Sequence, residues 1–389
     1  MSSKEHTIGP FEIPSFYQPI VQGFRNMVEL NGWKESFKKA VVTAHLTETE
    51  EMKNIKNFDD YCNFLNYFVL WTPKENENGL MYTMLCTFYF VLDQESVVCY
   101  QSPIKLRVYP HEPLTELSQW MVYYASILGH FLDTYESLTE ETLNSFLYAK
   151  NYRIEDYEEP RDGWRSFNHF FSRNIKKNLD IDETSIVSPA DSEYDGSWNI
   201  EEDSTIVIKG IKWTINELLA GSKYSNEFSG GKFIYSFLNT FDYHCQHAPV
   251  DGKVLEARVI PEQVYLEVKV TKSDGKKVLS PVREVINVEG GLKGEVAPDN
   301  PGYQFCQTRG LIIIESKIVG KVAVLPVGMV QVLSVVLKVE EGKKVTKKDE
   351  ISYFQFGGSD VVMLFQKGVS IVAEKHVHYK VGQKIACKN

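Results

Sequence analysis

The spacing of apolar side chains changes character about two fifths of the way along the chain. Before residue 150, apolar residues recur every three or four positions, which is the spacing of one helix face. The clearest stripe runs from Leu117 to Phe131 and predicts a helix that packs against a core. Ser137 and Glu140 form a capping-box pattern ahead of another helix. The N-terminal region is therefore predicted to be helical, with these stripes as core.

After about residue 185 the apolar residues occur in short β-branched runs separated by Gly, Pro and Asp. Such runs are typical of strands in an antiparallel fold. The predicted strands include Thr205–Ile208, Val264–Val270, Leu311–Ile314 and Val322–Leu325. One short helix interrupts them, because Thr214 and Glu217 form a capping box and Gly221 is placed to end the helix.

The segment from Asn151 to Asp162 is charged and rich in turn formers, as expected of a linker or a surface loop. It divides the 389 residues into a helical N-terminal domain, 1–155, and a β-rich domain, 156–389. The predicted fold class is α+β.

Composition narrows the functional classes. The formal net charge of −10 argues against a nucleic-acid binder, since phosphate backbones require clustered Lys and Arg. Six widely spaced cysteines without a CxxC pair predict reduced thiols rather than a zinc ribbon or a disulfide framework. The N-terminus lacks the apolar core of a signal peptide, and the longest apolar run, 322–337, is broken by Pro326 and Gly328. We expect a cytoplasmic protein without a transmembrane segment; the oligomeric state stays open.

The most informative stretch is Tyr353–Phe365, in which Gly357-Gly358-Ser359 separates two strand-like runs. An isolated Gly-Gly-Ser is by default a tight turn. The stretch is not an esterase nucleophile elbow, because Val361 occupies the position of the final Gly.

A second stretch, Phe241–Gly252, contains His244 and His247. Three interpretations compete: two metal ligands, two structural histidines, or acid–base catalysts whose pKa values lie near neutrality. No third ligand follows at a characteristic spacing, so no metal site is predicted. A third stretch, Ser188–Ser192, contains Asp191, which on its own is a common turn residue.

Taken in order, these stretches resemble the phosphatidylserine decarboxylase family, whose members are pyruvoyl-dependent decarboxylases. The resemblance covers about residues 160–372 and implies that the β-rich domain is the catalytic domain of that family. Its segments are Gly163–Arg173, Ser188–Asp191, Asp242–Pro249, Gly320–Gly328, Asp349–Phe354 and Gly357–Ser359.

The resemblance implies a proenzyme that cleaves itself between Gly358 and Ser359. The Ser359 hydroxyl would attack the Gly358 carbonyl, and Ser359 would become a covalent pyruvoyl cofactor that forms a Schiff base with the substrate amine. Asp191, His247 and Ser359 match the family's maturation triad. His244 matches the histidine that assists decarboxylation, although both imidazoles could contribute to both steps.

The helical N-terminal region resembles that of the soluble, tryptophan-decarboxylase-like branch of the family. This branch implies a small-molecule substrate, a free amino acid that could be aromatic, which would lose carbon dioxide to give the amine. The alternative substrate is phosphatidylserine, which would give phosphatidylethanolamine.

Two departures from the family pattern keep a non-cleaving pseudoenzyme open as an alternative. Asp360 stands where Thr or Ser usually follows the modified serine, and Ser352 stands where Gly is common. A carboxylate beside the reacting peptide could act as a base or oppose the developing oxyanion. A biotinyl- or lipoyl-like carrier module is a further alternative for 322–384, but no lysine occupies a convincing hairpin tip.

Overall fold

The computed structural model describes residues 8–75, 79–105, 112–176, 179–184, 186–208, 211–282, 303–329, 335–356 and 358–389. Within this part, long helices dominate the N-terminal region and antiparallel strands dominate the remainder, which confirms the α+β prediction. The helices are α1 (Pro19–Leu30), α2 (Lys34–His45), α3 (Phe58–Phe68), α4 (Leu80–Leu92), α5 (Glu95–Val98), α6 (Glu116–Leu132), α7 (Glu140–Leu147), α8 (Phe167–Phe171) and α9 (Ile215–Leu218).

The strands, in chain order, are β1 (Ile186–Val187), β2 (Ser192–Asn199), β3 (Thr205–Ile208), β4 (Ile211–Thr214), β5 (Lys232–Leu238), β6 (Cys245–His247), β7 (Gly252–Ile260), β8 (Val268–Ser273), β9 (Lys276–Pro281), β10 (Arg309–Ser316), β11 (Gly320–Met329), β12 (Val335–Leu337), β13 (Lys344–Val345), β14 (Glu350–Phe354), β15 (Gly358–Phe365), β16 (Val369–Ile371), β17 (Val377–Tyr379) and β18 (Lys384–Lys388).

An eight-stranded antiparallel sheet organises the β-rich region, in the order β13-β7-β10-β11-β15-β5-β2-β17. Side chains alternate between its faces, as a strand period of two requires. On β15, Val361 and Met363 enter one buried cluster, whereas Val362 and Leu364 enter another. Because both faces are covered, the central strands are held rigidly. A second sheet, β12-β14-β6, carries the histidine motif.

The helical region has its own core, rich in aromatic side chains. Helix α4 is buried over nearly its whole surface, and Phe24 of α1 stacks on Trp120 of α6 with ring centroids 4.3 Å apart. The Trp120 indole N–H donates to the Ile20 carbonyl, 3.0 Å away, so its one polar atom is satisfied. The predicted helix of the Leu117–Phe131 stripe corresponds to α6. None of the helices in the described ranges is long and apolar enough to cross a bilayer.

One predicted cap is wrong and one is confirmed. Helix α7 is capped by Thr139, whose hydroxyl accepts from the Thr142 N–H, and not by Ser137. The Ser137 hydroxyl instead accepts a hydrogen bond from the Phe167 N–H at 2.9 Å and donates to the Leu132 carbonyl at 3.0 Å, which links the end of α6 to α8. Helix α9 begins at its predicted cap, Thr214.

The predicted strand Val264–Val270 forms only from Val268 onward. Val264, Tyr265 and Leu266 are buried in the helical core cluster instead, so tertiary packing overrides their strand propensity. The strands predicted around residues 205, 311 and 322 are present as β3, β10 and β11. Short 3₁₀ helices occupy 150–152 and 154–156, and the domain boundary at 155/156 stays a prediction.

Candidate active site

The predicted cleavage point lies at the start of β15, one of the two central strands of the eight-stranded sheet. The backbone of Ser359 is opposite Gly328 of β11 and Leu238 of β5. The side chain of Ser359 and the whole of residue 357 lie outside the described part of the structure. Asp360, the next residue, is fully buried. The backbone of β15 from Ser359 to Phe365 is therefore held by strand pairing on both sides.

The histidine motif is held beside β14, the strand that leads to the cleavage point. In the pairing of β14 with β6, Glu350 is opposite His247. The Phe354 N–H donates to the His244 carbonyl at 2.9 Å, and the His247 N–H donates to the Pro189 carbonyl at 2.8 Å. The structure thus brings the three sequence stretches together through their backbones.

His247 is buried and has a partner at each ring nitrogen. Its Nδ1 lies 3.0 Å from the Lys348 carbonyl, which can only accept, so Nδ1 carries the proton. Its Nε2 lies 3.0 Å from the Tyr243 hydroxyl, which is also 3.1 Å from Oε1 of Glu350. Glu350 in turn pairs with Lys338. These contacts form one continuous network, which we call the His247 network: Lys338, Glu350, Tyr243, His247 and the Lys348 carbonyl.

The environment keeps His247 neutral and Glu350 charged. Burial lowers the pKa of His247, and the nearby Glu350 carboxylate and Lys348 carbonyl offset only part of that effect. Burial alone would raise the pKa of Glu350, but Lys338 brings that pKa below its ordinary value. At neutral pH, His247 therefore has a lone pair on Nε2, and Tyr243 can donate its proton to it or to Glu350.

His244 is the second predicted histidine and has a different environment. It is 0% exposed, and its ring lies against Phe171 with centroids 3.9 Å apart. Neither ring nitrogen has a partner of hydrogen-bond geometry in the described ranges. Burial, and then the charge of Arg173, holds the pKa of His244 well below its ordinary value, and the Asp242 backbone, which acts to raise that pKa, does not offset them. His244 is therefore a neutral, buried imidazole whose ring nitrogens have no hydrogen-bond partner among the described residues.

Arg173 fixes the loop that precedes the histidine motif. Its Nη2 donates to the carbonyls of Phe241 and Asp242 at 2.8 and 3.2 Å, and its guanidinium lies 4.2 Å from the centroid of the Tyr157 ring. Arg173 is itself buried, so these contacts hold its charge where it disfavours protonation of His244.

Asp191 is near His247 in the backbone, but its carboxylate is engaged elsewhere. Its Oδ1 accepts from the Val381 N–H at 2.8 Å. Among the hydrogen bonds of the described residues, none joins this carboxylate to His247. Burial, and then the Asp242 carboxylate, raises the pKa of Asp191. Its place in a maturation triad stays a prediction.

A His–Asp pair close to Asp191 was not predicted from the sequence. Nε2 of His378 lies 2.9 Å from Oδ1 of Asp242, whose Oδ2 accepts from the Asn239 N–H at 2.7 Å. The bond to Asp242 raises the pKa of His378. Because His378 follows the predicted cleavage point and Asp242 precedes it, this pair would join the two chains of a cleaved protein.

Three members of the His247 network were also not predicted from the sequence. Tyr243 and Glu350 lie inside the quoted motifs. They are 107 residues apart in the sequence, however, and nothing in the motifs shows that their side chains are in contact. Lys338 lies outside every motif. Only the register of β6, β14 and β12 brings the three together.

One cluster has the composition of a cation site. Ligand atoms of Glu193, Asp195 and His376 lie within 4.8 Å of one another. The cluster is partly to fully exposed, and exposed acidic groups are common without an ion, so we assign no metal to it.

One family model and several curated proteins are similar to this chain. The family model for phosphatidylserine decarboxylase matches residues 167–387. Phosphatidylserine decarboxylase proenzyme 3 of Schizosaccharomyces pombe is 32% identical over 60% of this chain, although the match spans only 22% of that longer protein. Phosphatidylserine decarboxylase proenzymes of Ruminiclostridium cellulolyticum and Fusobacterium nucleatum are each 27% identical, over 63% and 64% of this chain and 74% and 75% of their own lengths.

The matched region contains β14, β15, both motif histidines and Asp191, and it covers more than half of the chain. The carrier-module alternative is therefore wrong. The chain belongs to the phosphatidylserine decarboxylase family of pyruvoyl-dependent carboxy-lyases, whose cofactor is a covalent pyruvoyl group.

Proposed function

We propose that this chain is a self-processing decarboxylase that acts on phosphatidylserine and releases phosphatidylethanolamine and carbon dioxide. The observation that carries the proposal is the pairing of the histidine motif with the strand that enters Gly358–Ser359. This pairing supports a single site in which one imidazole serves cleavage and another serves decarboxylation. The expected cytoplasmic location stays a prediction.

Cleavage begins when the Ser359 hydroxyl attacks the Gly358 carbonyl. The Gly358–Ser359 C–N bond breaks, an ester forms, and the Ser359 nitrogen takes up a proton. Loss of the Ser359 α-proton then breaks the Cβ–O bond, which releases a chain ending in the Gly358 carboxylate. Hydrolysis of the remaining dehydroalanine by water releases ammonia and leaves pyruvoyl. Proximity makes the first step intramolecular.

His247 is the proposed base for the serine proton, since its Nε2 is unprotonated at neutral pH. As the imidazole becomes charged, Tyr243 can turn its proton fully toward Glu350, whose negative charge then stabilises the imidazolium through the hydroxyl. Lys338 keeps Glu350 ionised. In this proposal Glu350, acting through Tyr243, supports His247 during cleavage, which is the place in the maturation triad that the resemblance assigns to Asp191.

A pyruvoyl group at Ser359 would supply an electron-withdrawing carbonyl, which would stabilise the negative charge left on the substrate when carbon dioxide departs. The residues around the site fit such a group, because His244 offers buried nitrogens without partners among the described residues. His244 is proposed to deliver a proton to the carbon that loses carbon dioxide. A neutral imidazole can hold that proton on one nitrogen and regain it through the other.

Phosphatidylserine is preferred as substrate because it is the lipid named for the relatives. The free amino acid expected from the N-terminal resemblance is the competing result. The test measures carbon dioxide release by the purified, cleaved protein from phosphatidylserine in detergent micelles and from free tryptophan, tyrosine, phenylalanine and serine. Ser359→Ala protein serves as the control. Release from the lipid alone supports the proposal, and release from an amino acid alone overturns it.

A further inference from the structure

A buried amide lies at the junction between the helical region and the segment that enters the cleavage point. Asn168, in α8, is 2% exposed. Its Oδ1 accepts from the Phe356 N–H at 3.0 Å. Its Nδ2 donates to Oδ1 of Asp133 at 3.0 Å and to the Gly129 carbonyl at 3.2 Å, both at the end of α6. A single side chain therefore links α6 to the residue two positions before Gly358.

Further contacts strengthen this junction. Gln355 donates through Nε2 to the same Asp133 oxygen at 3.2 Å. The Phe356 ring is buried between the aromatic rings of Phe167 and Phe171, with centroids 5.2 and 5.7 Å away. Phe171 is the residue against which the His244 imidazole lies. The junction thus also borders the proposed decarboxylation histidine.

The chain is therefore held in place on both sides of the reacting peptide bond. On the downstream side, β15 holds Ser359 between β5 and β11. On the upstream side, the Asn168 bridge holds Phe356 against α8 and α6. Only two glycines separate these ends, and glycine has the greatest backbone freedom of any residue. An intramolecular attack gains most when the carbonyl and hydroxyl are held close together, so anchors on both sides of the two glycines would favour it.

We propose that Asn168 and Asp133 are positioning residues for self-cleavage, so that the helical region takes part in maturation rather than only covering the catalytic domain. This inference rests on the proposed self-processing but not on the identity of the substrate. Asn168 acts through the backbone of Phe356 and does not touch the reacting atoms.

The test follows self-cleavage of freshly translated chain by mass spectrometry, with no substrate present. Asn168→Asp retains the acceptor for Phe356 but loses the donor to Asp133 and places two carboxylates together. We expect it to cleave about tenfold more slowly or worse, since a charge-assisted hydrogen bond is lost. The double variant Asn168→Asp/Asp133→Asn restores a donor–acceptor pair and should regain most of the rate. Asn26→Asp, at an exposed site on α1, makes the same charge change as a control.

Three further readings separate positioning from simple loss of structure. Thermal unfolding shows which variants are folded. If Asn168→Asp is unfolded, Asp133→Ala serves as the test variant instead, because it removes the anchor on α6 and leaves Phe356 bonded to Asn168. Hydroxylamine cleaves esters and should release no extra product from Asn168→Asp, since the defect precedes ester formation. A folded variant that cleaves at the wild-type rate, a slow one that the double variant does not rescue, or ester accumulation in Asn168→Asp would each overturn the proposal. Failure of the wild-type chain to cleave would count against the proposed function instead.

Discussion

Glu350→Gln is the perturbation that most sharply tests the His247 network. It keeps the shape of the side chain and both Tyr243 and Lys338 nearby, but it removes the negative charge 3.1 Å from the Tyr243 hydroxyl. When His247 takes the serine proton, the variant can no longer stabilise the imidazolium through that hydroxyl. The variant should therefore fold normally and cleave itself slowly.

The expected loss of cleavage rate in Glu350→Gln follows from the contacts of Glu350. A hydrogen bond to a charged group contributes about 1.5–3 kcal/mol, and each ~1.4 kcal/mol of barrier changes a rate about tenfold. Glu350 lies one hydroxyl away from His247, and both carboxylate and hydroxyl are largely shielded from water. We expect self-cleavage to slow roughly ten- to a hundredfold.

The pH profile gives a second signature that a merely structural role would not produce. His247 acts as a base only when neutral, so the cleavage rate should fall as the pH drops through its pKa, which lies below the ordinary histidine value. Glu350 raises that pKa. Removing its charge should therefore move the inflection of the rate to a lower pH while also lowering the plateau.

The assay measures the fraction of cleaved chain over time at a series of pH values for wild type, Glu350→Gln and Glu341→Gln. Glu341 is exposed on the turn before β13 and provides the same chemical change away from the network. If Glu350→Gln has the rate and the inflection of the wild type, Glu350 does not support His247 and the reasoning fails.

Two other predictions follow from the site. His244→Asn should cleave itself at close to the wild-type rate but lose decarboxylation, as carbon dioxide release would show; full turnover would refute its assignment. His378→Gln should reduce stability mainly at acidic pH, because the raised pKa of His378 makes its bond to Asp242 stabilising below the unfolded-state pKa and lost as the pH rises through the folded-state pKa. Urea unfolding at several pH values measures this, and a difference that grows toward alkaline pH would contradict it.

The elements that local pattern defines were predictable from the sequence. The β-branched runs predict strands β10 and β11, and the stripe of apolar residues predicts helix α6. Val264–Leu266 carries the same strand signal but is buried in the helical core, and Thr139 rather than Ser137 caps α7. Such outcomes depend on packing partners far away in the chain.

Only the residues of the candidate site that lie in recognisable sequence motifs were predictable, and their contacts were not. His244 and His247 were identified because they lie three residues apart in one motif, and Gly358–Ser359 because it separates two strand-like runs. The contacts of Asp191 with Val381 and of Tyr243 with Glu350 join residues more than a hundred positions apart in the chain. No spacing rule contains that information.

The most direct test of the account is the intact mass of the freshly purified wild-type protein. We expect two chains, one spanning residues 1–358 and one spanning 359–389 whose first residue is lighter than serine by the mass of ammonia. Ser359→Ala should give one chain of full length. A wild-type preparation that contains only the uncut polypeptide, with Ser359 unmodified, would contradict the self-processing mechanism and favour a pseudoenzyme.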